Sequence, residues 1–126
     1  MSYMLNYEKE GYIKLIYEGN ANLNDIKDVI TQGVLLAQEN NCLRVLSDFR
    51  KASLSLSIME LFSIPSKQEA QSKMLNVPFY RYRRAVVVPA GDYKKYKFFE
   101  NVAVNRSHQV RVFISFDEAS KWLMET

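Results

Sequence analysis

Residues 84–91 read Arg84-Ala85-Val86-Val87-Val88-Pro89-Ala90-Gly91. The apolar run Ala85–Val88 has no polar alternation, as befits a strand covered on both faces of a sheet, and Pro89-Ala90-Gly91 stops it. Downstream, Asp92 is placed to cap a helix whose Tyr96, Phe99, Val102 and Ala103 share a face. Val110-Arg111-Val112-Phe113-Ile114 then reads as the last strand. Ser115-Phe116-Asp117-Glu118 is a capping box opening a terminal helix with Ala119, Trp122 and Leu123 at helical spacing.

The same rhythm runs upstream. Ser57-Ile58-Met59-Glu60 is a second capping box, and its helix carries Leu61, Phe62 and Ile64 before Pro65, which is expected to kink or break it. Ser66-Lys67-Gln68-Glu69 offers a fresh helix start. Leu43-Arg44-Val45-Leu46 is a short strand expected to end on Ser47-Asp48. Before it, Leu23, Ile26, Ile30, Gly33, Val34 and Ala37 form one stripe of a helix capped by Asn22 or Asn24 and ended by Asn40-Asn41. Tyr12–Tyr17 is a strand that Gly19-Asn20 should stop, and Met4–Tyr7 joins it through a Glu8-Lys9-Glu10-Gly11 hairpin. The whole predicts an α/β fold with a mostly parallel five-stranded sheet, an antiparallel N-terminal edge strand, and the order β-β-α-β-α-β-α-β-α.

Length and composition set the bounds. A chain of 126 residues, 48% hydrophobic and 25% charged, is expected to be a single domain spanning 1–126 with a core large enough to need no staple. One cysteine, Cys42, excludes an internal disulfide and a multi-cysteine zinc site. No apolar stretch is long enough for a membrane span, and the N-terminus has no basic region before an apolar core, so a cytoplasmic protein is expected. The net charge of +3 is too small an excess to point to nucleic acid.

Several stretches together resemble the stand-alone SpoIIAA-like bacterial proteins of the STAS-like superfamily. They are Asp48 followed by Arg50, Arg84–Val88, Phe99-Glu100, and the closing Val110-Arg111-Val112-Phe113 with Glu118–Leu123. The resemblance covers about residues 12–123. It implies a fold shared with anti-sigma-factor antagonists and related to CRAL-TRIO-type lipid-binding domains. Such antagonists carry an Asp-Ser-Ser-Gly-type turn whose serine is phosphorylated by a partner kinase. Here the corresponding residues 47–57 keep Asp48 and several serines but lack that run, a departure that speaks against the phospho-switch.

In open α/β sheets ligands bind beyond the carboxyl ends of the strands. Asp48 and Arg50 are expected on such a loop, either contacting a polar or anionic ligand or pairing with each other. Gly91 marks the neighbouring strand end. Met59, Leu61, Phe62 and Ile64, with Met74 and Leu75 beyond the kink and then Val77, Phe79 and Tyr80, are expected to line an adaptable apolar groove over the sheet, or simply to cover it. Ser53 and Ser57 are candidate phosphorylation sites, Ser57 being equally explained as a helix cap. In Tyr80-Arg81-Tyr82-Arg83-Arg84, strand alternation separates Arg81 and Arg83 from Tyr82 and Arg84, which weakens a single binding patch. His108, the one histidine, is expected in a loop with no ligand cluster beside it, so no metal or other cofactor is called for.

No nucleotide-binding, nucleophile-elbow or metalloprotease motif is present. No catalytic residue is selected, and the balance leans away from an enzyme. The expected function is a small binding or regulatory module, taking an apolar or anionic small ligand or a protein partner near the carboxyl strand ends and the second helix. The alternatives are a homodimerising or partner-docking protein and, further off, a hydrolase using Asp48 and Arg50.

Overall fold

The structure is a computed structural model and describes residues 2–125. Strands β1 (Ser2–Glu8) and β2 (Tyr12–Ala21) form an antiparallel hairpin. Gly11 closes it at a φ of 102°, a conformation that costs other residues strain, and its amide donates to the Glu8 carbonyl at 2.9 Å. Helix α1 (Leu23–Glu39), β3 (Arg44–Leu54), α2 (Ile58–Leu75), β4 (Arg83–Val87), α3 (Tyr93–Asn105), β5 (Gln109–Phe113) and α4 (Phe116–Met124) follow in turn. The sheet runs β1-β2-β3-β4-β5, with β2 to β5 parallel. This is the expected α/β architecture.

Consecutive parallel strands that advance in one direction through right-handed crossovers place their helices on one face. Accordingly α1, α2 and α3 cover one side, where Leu15, Phe49, Leu61, Ile64, Phe99 and Val112 share a core. Helix α4 alone covers the other, over Tyr12, Leu46, Ala85, Val87 and Phe113. The β4 run is apolar throughout because Ala85 and Val87 face α4 while Val86 and Val88 face the three helices. Burying Leu46 or Leu123 completely contributes about 2 kcal/mol each.

Local signals set most boundaries. Asn22 Oδ1 accepts from the Asp25 amide at 2.9 Å, and the Asp25 carboxylate returns a bond to the Asn22 amide, starting α1. Ser57 and Glu60 form the same reciprocal pair at the start of α2. Ser115 Oγ accepts from the Glu118 amide and starts α4. Glu100, buried on α3, accepts the Val112 amide at 2.7 Å on β5, satisfying a donor at the sheet edge.

Several expectations need correction. Strand β3 does not end at Asp48 but continues to Leu54, and β2 continues through Gly19 (φ 96°) to Ala21. The register slips by one residue between Ile16–Asp48 and Glu18–Lys51, so β3 carries a bulge at Phe49-Arg50. The bulge reverses the phase of alternation: Val45 and Phe49 face the three helices before it, Ala52 after it. Helix α2 runs through Pro65 unbroken, and Ser66 makes no capping box; its hydroxyl donates to the Ser63 carbonyl instead. Asp92 precedes α3 without a side-chain cap. His108 lies, as expected, in the loop between α3 and β5, and it is buried there.

Candidate functional site

The six residues expected to form one site lie in four places. Asp48 and Arg50 belong to β3, on the face that α4 covers. The Asp48 carboxylate accepts from Arg50 Nε at 3.0 Å, from its other guanidinium nitrogen at 2.8 Å and from its backbone amide at 3.1 Å. The guanidinium lies 5.5 Å from the Phe116 ring centre. Both charges are thus satisfied within the bulge itself. Gly91 is exposed in a 3-10 turn (Ala90–Asp92) beyond β4, and a Cβ there would touch nothing within 4 Å. Tyr80 lies in the 3-10 turn Phe79–Arg81 that precedes β4, at the opposite end of the sheet.

Met59 and Phe62 point outward from α2, 76% and 56% exposed, so they do not line a groove over the sheet. The side of α2 that faces inward carries Leu61, Ile64, Pro65 and Gln68. Ser53 is exposed on β3, and the Ser57 hydroxyl is engaged as the cap of α2.

The pocket lies beneath α2. Helices α1, α3 and α4 each approach a strand closely, whereas the near neighbours of α2 are α3 and the turn before β4. Between α2, α1, α3 and the sheet this leaves an apolar cavity of about 50 Å³. Leu15, Ile26, Phe49, Leu56 and Leu61 give its apolar wall, and Gln68, Arg84 and Tyr96 also line it. The volume is that of about four water molecules.

Those three polar residues come from α2, β4 and α3 and are 3%, 6% and 5% exposed. One Arg84 terminal nitrogen donates to Gln68 Oε1 and the other to His108 Nδ1, both at 2.8 Å. Arginine only donates, so His108 Nδ1 is the acceptor and the imidazole is neutral with its proton on Nε2. That Nε2 donates to Glu69 at 2.8 Å. The same logic turns the Gln68 carbonyl toward Arg84 and its NH2 group away. Gln68 Nε2, Arg84 Nε and the Tyr96 hydroxyl are left as buried polar atoms without a partner among the described residues.

Electrostatics follow from this geometry. Burial alone lowers Arg84 to about 10, so it stays a cation at neutral pH. Among the buried charges, Asp48 pairs with Arg50 and Glu100 with Lys97, while the guanidinium of Arg84 touches only an amide and a neutral imidazole. Burial lowers His108, with the Arg84 and Arg106 charges adding to the effect against the opposing pull of Glu69. Arg106, bonded at 2.9 and 2.6 Å, holds Glu69 down at about 2. Glu69, Arg106 and His108 also line an open cleft of about 630 Å³ with Lys73 and Tyr80. Buried cavity and open cleft are therefore joined by one hydrogen-bonded chain, Arg84–His108–Glu69–Arg106.

Sequence patterning placed Arg84 and His108 in separate contexts and did not bring them together. The available signal was position: each stands at the entry to one of two adjacent parallel strands, β4 and β5. Gln68 and Glu69 were read only as parts of a capping motif.

No protein-family model matches the chain, and no curated protein does. A solved structure of an uncharacterised protein of the DUF3478 family from Shewanella loihica, described as having a SpoIIAA-like fold, is similar with a TM-score of 0.55 at 14% identity, covering 97% of this chain and 92% of that one. Among the described residues no helix is long and apolar enough to cross a membrane. The chain has the SpoIIAA-like, mixed-sheet α/β fold that its sequence resembles.

Proposed function

We propose that the protein is a non-enzymatic binding module whose ligand is a small, largely apolar molecule held beneath α2. The observation that carries this reading is the cavity: α2 stands off a sheet that the other helices pack closely, and the space is walled by side chains of α1, α2, α3 and β2 to β4. A void forfeits the contacts of its lining atoms, so unfilled space costs a close-packed interior stability that a bound molecule would restore. The polar groups expected to do chemistry are otherwise engaged, since Asp48 and Arg50 satisfy each other. Native mass spectrometry of protein purified from its own host, before and after denaturation, is expected to release a small molecule, and that molecule added back should raise the melting temperature. A bare protein that gains no stability from any small apolar compound at millimolar concentration would overturn the reading.

A second reading has its own support. Ile58, Met59 and Phe62 on α2 are exposed beside Phe98 on α3, and the Phe62 and Phe98 rings stack with centres 6.5 Å apart. Such a patch suits a second copy of the chain. Sedimentation across micromolar concentrations should then show a dimer that Phe62→Glu dissociates, and a strict monomer removes the reading.

A further inference from the structure

The net charge of +3 is unevenly spread. Acidic side chains gather at the carboxyl end of the sheet, where the helices begin. Asp25 and Glu60 lie in the first turns of α1 and α2, and Asp117 and Glu118 in that of α4, whereas α3 opens on Lys94 and Lys95. The amino end of β3 to β5 is basic. Arg44 opens β3 in register with Arg83, which opens β4, and Arg111 follows on β5. All three share the α4 face, because Val45, Arg84 and Val110 take the other. Arg83 is held there by the Trp122 carbonyl and lies 3.8 Å from that ring's centre. Arg81 is exposed in the turn before β4, and Lys73 in the last turn of α2. Among the described residues, Lys73, Arg81 and Arg111 have no carboxylate partner. Strand alternation splits the Tyr80–Arg84 stretch, yet it gathers arginines of three neighbouring strands on one face.

The open cleft lies at this same end. Lys73, Phe79, Tyr80 and Arg106 line it, and its 630 Å³ is the size of a small-ligand site. The carboxylate in it, Glu69, is taken up by Arg106 and His108. The Tyr80 ring is 62% exposed and belongs to none of the core clusters. Gln109 donates to the Tyr80 carbonyl at 3.2 Å and ties this turn to β5, two residues before Arg111. Cations set around a concave cleft with an aromatic platform suit a single nucleic-acid strand. An acidic peptide has no group that calls for the ring, a membrane meets a flat face, and a duplex keeps its bases stacked on one another. We infer that single-stranded nucleic acid lies across the amino end of the sheet, one base stacked on Tyr80 and phosphates on Lys73, Arg81 and Arg111. The small net charge does not oppose this, since an approaching strand meets the field of one end of the molecule. The inference does not depend on whether the cavity beneath α2 holds a ligand.

The test follows the fluorescence anisotropy of a labelled single strand of about ten nucleotides and mixed sequence, titrated with the full chain. A duplex of the same length and poly-glutamate are the comparisons. Three phosphate contacts predict an affinity that falls roughly 20-fold between about 50 and 200 mM salt. Arg81→Gln together with Arg111→Gln should reduce that fall to about threefold. Tyr80→Ala should weaken binding at least about fivefold and leave the salt dependence unchanged. All three side chains are exposed, so these variants keep the fold. Equal binding of the duplex or of poly-glutamate would overturn the single strand and leave only a basic surface. Full affinity in Tyr80→Ala would overturn the stacked base and the site built on it. No binding at the lower salt concentration would overturn the proposal outright.

Discussion

His108 is the residue whose surroundings give the sharpest expectation. Its imidazole is buried, accepts from Arg84 on one side and donates to Glu69 on the other, and a proton on Nδ1 would face the Arg84 N–H. The folded value is therefore held below the ordinary 6.5. Between those two values the unfolded chain binds more protons than the folded one, so stability falls as the pH drops below 6.5 and is complete above it. Glu69, held at about 2, stays ionised throughout that window and does not contribute to the loss. Urea midpoints at pH 8, 6.5 and 5.5 should trace the fall, and His108→Gln, which keeps an acceptor for Arg84, should flatten it. An identical fall in that variant would assign the pH dependence elsewhere. None of this was legible in the sequence, because composition and periodicity assign a residue to a face but say nothing of which residues meet across 24 positions of chain. A histidine without a nearby ligand cluster looked inert for that reason.

At the level of elements, the sequence was most legible where one local rule governs. The helix starts at Asn22, Ser57 and Ser115 follow from side chains that satisfy free amides three residues on. It was least legible where tertiary packing overrides the rule. The bulge at Phe49-Arg50 reverses the alternation of β3, so a strand of eleven residues looked like a short one, and Asp48 seemed to stand at its end. Pro65 stays within α2 because packing around a buried position holds the helix together across the missing amide. Gly33, mid-helix in α1, offers a test of how far packing dictates identity there. It lines the cavity, and a Cβ built on it would meet only the Leu5 Cδ1 at 3.8 Å, an ordinary contact. Since glycine in a helix interior costs about 1 kcal/mol relative to alanine, Gly33→Ala should stabilise the protein by roughly that amount. Chemical denaturation measures it, and a loss of stability would mean that α1 packs more closely here than the backbone indicates.

The whole molecule has two unequal sides. On the α4 side, Leu46, Ala85, Val87, Ala119 and Leu123 have no exposed surface. On the three-helix side the sheet also carries the buried Ser47 and Arg84, α2 stands off it and the cavity remains. The apolar run at 85–88 announced a sheet covered on both faces but could not reveal that one cover fits loosely, since that depends on the distance of α2 and not on strand composition. If the looseness serves a ligand, stability and binding should separate between the sides. Leu123→Ala removes a buried side chain from the close-packed face and should cost about 3 kcal/mol while leaving ligand-induced stabilisation intact. Val86→Leu adds one methylene on the cavity side, where space exists to receive it; it should leave stability equal or higher and weaken the ligand. Urea denaturation with and without the bound molecule reads both terms. Should Val86→Leu destabilise as an overpacked core does, the cavity is already filled by motion of its own walls, and the two sides are equivalent after all.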